Sequence, residues 1–339
     1  MTFDPNAAAA PDSGVFGLPF SPDESKIVLV PVPFEATTSY GGGTSDGPSA
    51  ILEASKQVDL FDLDTGKPYE AGITMLDESA EVRAWNDEAK AAAKPIIESG
   101  GLESHPAALA TVNALSEKMN QYVYETTKQW IGKKKVVGVI GGDHSTPFGA
   151  IKAYAEAFPG LGVLHLDAHA DLRNAYEGFT WSHASIMYNV MQKLPGVAKL
   201  VQVGIRDFGE AEFDMIQSSN GRIHTFFDSR LAHARLDGMP WREQVDIIVR
   251  ELPSKVYLSW DIDGLDPVLC PHTGTPVPGG LTFHQAASLL EGVVRAGKTI
   301  VGFDLNEVAP GPEGDEWDGN VAARLLYKMI GWTLKSQTK

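Results

Sequence analysis

Apolar residues fall along this chain in short unbroken runs separated by longer stretches of helical period. The runs cover residues 26–32, 73–76, 135–140, 161–166, 200–205, 223–227, 256–260 and 300–303. A strand with no polar face is buried on both sides, which is the habit of parallel sheets. Between the runs, apolar positions recur three and four apart over residues 81–98, 106–129, 147–158, 185–192, 210–218, 241–251, 283–296 and 321–333. A further helix carries Ile51, Leu52, Ala54 and Val58, and such spacing gives each helix one face to bury. The alternation predicts an α/β fold: a three-layer α/β/α domain around a mainly parallel sheet of about eight strands. No internal repeat or linker interrupts residues 26–339, so they are expected to form one catalytic domain. Residues 1–25, rich in Ala, Pro, Asp and Gly, read as an irregular arm tied down by a neighbour.

The glycines of residues 39–48 lack the lysine of a phosphate-binding P-loop. They are expected instead to let backbone pass close to another segment.

Composition narrows the function. With 28 basic and 44 acidic residues the net charge is −16, which argues against nucleic acid and anionic membranes and favours a cationic substrate. The single Cys270 rules out an intrachain disulfide and suits a reducing compartment. No apolar run is long enough to span a bilayer, and the start of the chain lacks a basic-then-apolar leader pattern. A cytoplasmic protein is expected.

The chemistry lies at three predicted strand ends. After the run 161–166 come Asp167, His169 and Asp171, alternate positions that share one face of an extended backbone. After the run 135–140, Gly141 and Gly142 permit a sharp turn that presents His144. After the run 256–260, Asp261 and Asp263 again share a face. All lie at the carboxyl edge of a parallel sheet, where open α/β folds build their sites. Two imidazoles and four carboxylates are too much negative charge for one cation, because crowded carboxylates repel. Two divalent ions sharing bridging carboxylates resolve this, and such a pair supports hydrolysis. Few thiols and many carboxylates favour Mn2+ over structural zinc. Asp143 reads as a hydrogen-bond partner beside His144, Asp266 as a turn residue, and Cys270 as a small buried residue. His165 reads as a packing residue between layers, and His105, His224, His233, His272 and His284 as surface or capping residues. Trp181 and Trp260 read as bulky neighbours of the site.

These motifs together resemble the ureohydrolase (arginase–agmatinase) family. The matching segments are 141–145, 167–171, 261–267, 273–281 and 301–308, in the family's order and reaching across nearly the whole chain. The resemblance implies that His144, Asp167, Asp171 and Asp261 hold one metal and His169, Asp167, Asp261 and Asp263 the other, with Asp167 and Asp261 bridging. It implies that Glu307 pairs with a substrate guanidinium, a fork that a carboxylate matches. His183 matches the family's mobile histidine, suited to proton transfer. Asp171 then counts among the catalytic groups, and Glu307, His183 and Arg173 among those that touch substrate. The implied reaction is hydroxide attack on the guanidinium carbon, releasing an amine and urea, and the implied assembly is a homotrimer or homohexamer.

Arginases place Asn where this chain has Arg173, and residues 171–184 and 203–206 look closer to agmatinases, so agmatine is the expected substrate and putrescine the product. Two departures weaken the match at the substrate's far end: Ala184-Ser185 after His183, and the acidic stretch 313–318. Another guanidine, such as a guanidino acid or free guanidine with Ni2+, is the rival within enzymes. A single-zinc deacetylase of similar fold would not need the second cluster of ligands. A silent subunit would be expected to have lost some of the six ligands, all of which this chain keeps.

Overall fold

The computed structural model describes residues 3–38, 40–101 and 105–338, with Glu313 by its backbone alone; Met1 and Thr2 of the arm and Ser39 of the Gly-rich loop lie outside them. The strands are β1 (Ile27–Val32), β2 (Ile73–Met75), β3 (Val136–Gly141), β4 (Leu161–Leu166), β5 (Val197–Ile205), β6 (Ile223–Phe227), β7 (Lys255–Asp261) and β8 (Thr299–Asn306). The helices are α1 (Gly47–Ser55), α2 (Ala80–Glu98), α3 (Pro106–Gly132), α4 (Phe148–Ala157), α5 (Ile186–Lys193), α6 (Glu210–Ser218), α7 (Asp228–Leu236), α8 (Trp241–Arg250), α9 (Phe283–Arg295) and α10 (Trp317–Gln337). Among the described residues, no helix is long and apolar enough to cross a membrane.

The eight strands form one sheet in the order β2-β1-β3-β8-β7-β4-β5-β6, and every pairing is parallel. Alternate residues of each strand feed two hydrophobic layers. In β4, Leu164 and Leu166 join the layer of α1, α8, α9 and α10, whereas Leu161 and Val163 join the layer of α2, α3, α4 and α5. The three-layer α/β/α expectation holds, and the sheet is wholly rather than mainly parallel.

Two helical boundaries differ from expectation. Helix α7 was not expected, because its sequence (DSRLAHARL) offers few apolar positions and buries only Asp228 and Leu231. Helix α10 begins at Trp317 rather than near 321, because its first turn is polar and it enters the core through the next turns.

The arm carries a short turn over Val15–Gly17 that buries Val15, Phe16 and Leu18 against the body. The Phe16 ring lies 4.9 Å from that of Tyr327, and the Phe16 N–H donates to Ser55 Oγ at 2.9 Å. The Gly-rich loop passes as close to its neighbours as expected. A Cβ on Gly41 would stand 2.8 Å from the Gly274 carbonyl oxygen, and one on Gly47 2.3 Å from that of Val308.

Candidate metal centre and substrate cavity

Four neighbouring strands, β3-β8-β7-β4, deliver the site. Their register aligns Leu166 with Trp260, Trp260 with Leu305 and Asp261 with Asn306, so the four chains leave the sheet side by side. His144 follows β3, Glu307 follows β8, Asp261 ends β7, and Asp167, His169 and Asp171 follow β4. Two of these residues sit in left-handed backbone, Asp171 at φ 53° and Glu307 at φ 62°. Non-glycine residues held there tend to mark functional sites.

Donor atoms of His144, His165, Asp167 and Asp171 gather within 4.8 Å of one another, and so do those of Asp167, His169 and Asp263. Asp167 belongs to both groups. Asp261 stands beside the first, with its Oδ2 3.5 Å from His144 Nδ1, while its other oxygen accepts the Asp263 N–H at 2.8 Å. His144 Nδ1 also lies 3.0 Å from Asp167 Oδ2 and 3.4 Å from Asp171 Oδ2. His169 Nδ1 lies 3.1 Å from Asp263 Oδ2.

The electrostatics show what this cluster lacks. Burial first, then the Asp167 charge, pushes Asp171 well above the usual carboxylate range. Asp261 is pushed up likewise by burial and by Asp263. Burial opposes ionisation of Asp167 too, but His165 and the hydrogen bonds of its three histidine neighbours hold it well below the ordinary value. Burial works against charge on His144, yet Asp167, Asp171 and Asp304 drive it to about 10. Crowded buried carboxylates backed by imidazole nitrogens are the donor set of a pair of divalent ions, and these residues fit one.

Hydrogen bonds behind the donors fix their orientation. His144 Nε2 lies 3.0 Å from Ser259 Oγ, whose hydroxyl donates to Asp304 Oδ1 at 3.0 Å. The imidazole proton then sits on Nε2 and leaves the Nδ1 lone pair for a metal. A second chain supports Asp167. Thr225 donates to Gln202 Oε1 at 2.8 Å, the Gln202 amide donates to His165 Nδ1 at 3.0 Å, and His165 Nε2 donates to Asp167 Oδ2 at 2.8 Å. Burial lowers the pKa of His165 below the ordinary value. The expectation that His165 merely packs between layers is therefore corrected: it lies two residues before Asp167 and so shares its face.

Trp260 is also corrected. It points into the α9–α10 layer, fully buried and away from Asp261, because neighbouring strand residues face opposite sides. Trp181 packs on Phe148 at 4.7 Å and does not line the cavity. His272 and His224 do have partners, Asp318 at 2.9 Å and Glu251 at 3.2 Å. Asp143 and Asp266 behave as read: Asp143 accepts from the Ser145 N–H at 3.0 Å and Asp266 from the Val268 N–H at 3.0 Å.

Over the donors lies a cavity of about 200 Å³, lined in part by His144, His169, Asp171, Asp261, His183 and Glu307. Glu307 Oε1 accepts the His144 N–H at 2.8 Å, and burial, then Asp261 and Asp143, raise its pKa well above the ordinary value. His183 Nδ1 lies 3.1 Å from Thr37 Oγ1. Burial, then His169, pushes His183 down to about 4. Arg173, Tyr176, Asp207, Glu212 and Thr275 complete the mouth.

Sequence reasoning missed Glu212. Two backbone N–H groups, of Leu172 and Gly209, hold its carboxylate at 2.9 and 2.7 Å, and Arg173 Nε approaches it at 3.4 Å. Its sequence signal was the glycine three residues before it, which together with Glu212 caps the start of α6. Arg206 was also missed as a brace: its guanidinium donates to the carbonyls of Asp263, Leu265 and Val277 at 2.7, 3.2 and 2.9 Å. The end of the acidic stretch, in the first turn of α10, is likewise structural. Asp318 holds the backbone and ring of His272, and Trp317 Nε1 donates to the Val268 carbonyl at 3.0 Å. That pins the loop whose Thr275 lines the cavity.

Fold and site together define a hydrolase built around divalent cations. The sequence matches the arginase family over residues 25–331. It is 34% identical to the N(1)-aminopropylagmatine ureohydrolase of Thermus thermophilus, over 94% of both chains. It is 28% identical to the agmatinase of Bacillus cereus, over 91% of this chain and 93% of that one. The agmatine ureohydrolase structure from Thermoplasma volcanium superposes with a TM-score of 0.74 at 24% identity, over 95% and 94% of the two chains. The chain belongs to the arginase family, whose fold implies a binuclear divalent metal site.

Proposed function

We propose that this protein hydrolyses the guanidinium group of agmatine, releasing urea and putrescine, with two Mn2+ ions held by His144, Asp167, Asp171, Asp261, His169 and Asp263. The observation that carries this reading is the placement of Glu307, a buried carboxylate opening into the same cavity as both donor groups. When bound, a pair of divalent ions lowers the pKa of water and polarises the group under attack. The protein's own residues do the rest. Glu307 receives the cationic guanidinium and holds its carbon over the donor groups. Water adds to that carbon, the bond to the alkyl nitrogen breaks, and the departing amine takes up a proton. His183, kept neutral by burial, is placed on the cavity wall to pass that proton.

The far end of the substrate is read from the mouth. Arg173 is occupied, ion-paired to Glu212 and stacked 4.6 Å over Tyr176, so it is not a free cation waiting for a carboxylate. Asp207, exposed on the same wall, suits an ammonium tail instead. Arg173 then shapes the mouth rather than binding a substrate acid. A second reading is favoured by four relatives at 31–34% identity, all named N(1)-aminopropylagmatine ureohydrolase: the tail carries a further aminopropyl unit.

Urea release from agmatine, N1-aminopropylagmatine, arginine, 4-guanidinobutyrate and guanidine, with Mn2+ and Ni2+ loaded separately, tests this. Activity confined to the two amines supports the reading. Preference for a guanidino acid sinks the substrate, and full metal loading without urea sinks the reaction.

A further inference from the structure

The second cavity of interest lies at the opposite, amino-terminal edge of the sheet and measures about 490 Å³, larger than the one over the metal donors. It follows from the strand order. β1, β3, β8 and β7 are neighbours, so their first residues stand in a row. Lys26 precedes β1, Lys134 and Lys135 precede β3, Thr299 opens β8 and Lys255 opens β7. All five line the cavity, and among the described residues no Asp or Glu does. In a chain of 44 acidic and 28 basic residues, four lysines around one concavity without an acid are a concentrated positive field.

Their partners do not neutralise them. Lys135 Nζ donates to the backbone carbonyl of Asp23 at 2.5 Å and Lys26 Nζ reaches that of Lys134 at 3.5 Å. The Asp23 carboxylate is taken by Lys133 at 3.0 Å. Lysines at a helix C-terminus offset the negative end of the helix dipole, which accounts for Lys134 and Lys135 after α3. It does not account for Lys26 and Lys255, which come from strand starts.

The floor is different in kind. Ile131 and Phe158, both half-buried, supply apolar surface, with Val136, Tyr154 and Val301 buried behind them. The Tyr154 hydroxyl is engaged by Val137, accepting its N–H at 2.8 Å and donating to its carbonyl at 3.2 Å, so it offers no polar group to the cavity. Tyr154 and Phe158 stack at 6.3 Å. We propose that this cavity binds a small phosphorylated molecule, its phosphate against the lysines and its apolar or planar body on the floor. Lysine is a compact point charge well suited to phosphate, and the volume is that of a small-molecule site.

Calorimetric titration of the metal-loaded chain with AMP tests the proposal, with adenosine, inorganic phosphate and a poly-glutamate peptide titrated in parallel. Saturable AMP binding is expected, weakened by added salt and stronger than that of phosphate or adenosine alone. Lys26→Gln and Lys255→Gln should each weaken it roughly tenfold, the worth of one charge-assisted hydrogen bond. Lys255→Arg should retain most of it, and urea release at saturating substrate without AMP should not change in any variant. Melting temperatures of the variants confirm that they fold. Lack of saturation by about 10 mM AMP, an affinity weaker than any useful site, overturns the proposal. So does AMP binding that survives both Lys→Gln changes, which would put the phosphate on the metal site. Binding of poly-glutamate but not AMP overturns it in favour of an acidic protein segment.

Discussion

Removing the Ser259 hydroxyl isolates what an orienting hydrogen bond contributes to metal binding. In the folded chain His144 Nε2 donates to Ser259 Oγ at 3.0 Å, and Asp304 is too far from that nitrogen, at 3.8 Å, to replace it. Asp304 keeps the Trp260 N–H at 3.1 Å and the Asn306 amide at 2.6 Å, so Ser259→Ala does not orphan it. The imidazole is the group affected. Without metal, above about pH 10 where the group is no longer charged, it escapes the loss by carrying its proton on Nδ1, where Asp167 Oδ2 accepts at 3.0 Å. With metal that route is closed, because the ion needs the Nδ1 lone pair and the proton must return to a buried Nε2 with no acceptor. A buried donor left unpaired costs about 1–3 kcal/mol, so affinity at the His144 site should fall roughly 5- to 150-fold. Above about pH 10 the melting temperature of the metal-free protein should barely move. Metal content measured against chelator-buffered Mn2+ should show one ion per chain lost early and the His169 ion retained, and Ser259→Thr should restore the first. Unchanged metal affinity would refute the reasoning, as would a metal-free melting temperature that drops in step with it.

Other outcomes follow from the same geometry. Glu307→Gln keeps the hydrogen bond from the His144 N–H but removes the charge proposed to face the guanidinium; breaking a buried charge pair costs about 2–5 kcal/mol, so kcat/KM for urea release should fall at least about 30-fold while both metals stay bound. Asp207→Asn should raise KM for agmatine roughly tenfold, the scale of one charge-assisted contact, and should leave the rate with free guanidine unchanged. His165→Leu, which cuts the chain from Gln202 to Asp167, should lower metal content at both sites, since Asp167 belongs to both groups. The pH dependence has a definite sign. Burial disfavours charge on His144, but Asp167, Asp171 and Asp304 outweigh it and raise the group from 6.5 to about 10 in the metal-free protein. A raised histidine stabilises the fold fully below its unfolded pKa and loses that contribution as pH climbs toward the folded one. The melting temperature of the chelated protein should therefore fall from pH 7 to pH 9. Metal affinity should rise over the same range, because the ligands must be deprotonated.

What the sequence made legible is what it carries locally. The strand runs, the alternate spacing of Asp167, His169 and Asp171, and the turn that presents His144 are each written within a few residues. The period of an extended chain then dictates which way the side chains face. The same period, applied one step earlier, assigns His165 to the ligand face and Trp260 to the opposite one from Asp261. The remaining partners lie beyond any local rule. Gln202 and Thr225 meet His165 only because β4, β5 and β6 are neighbours in register. Ser259 meets His144 across 115 positions, and Glu212 meets Leu172 across 40. These residues carry no chemistry that distinguishes them from ordinary polar residues. A Ser, a Gln or a Glu becomes an orienting group only when the sheet order places it behind a ligand. The candidate ligands are therefore readable one by one, whereas the groups that fix their tautomers and charge states appear only when the strands are assembled. Perturbing that concealed layer, as Ser259→Ala does, separates metal affinity from folding in a way that deleting a ligand cannot.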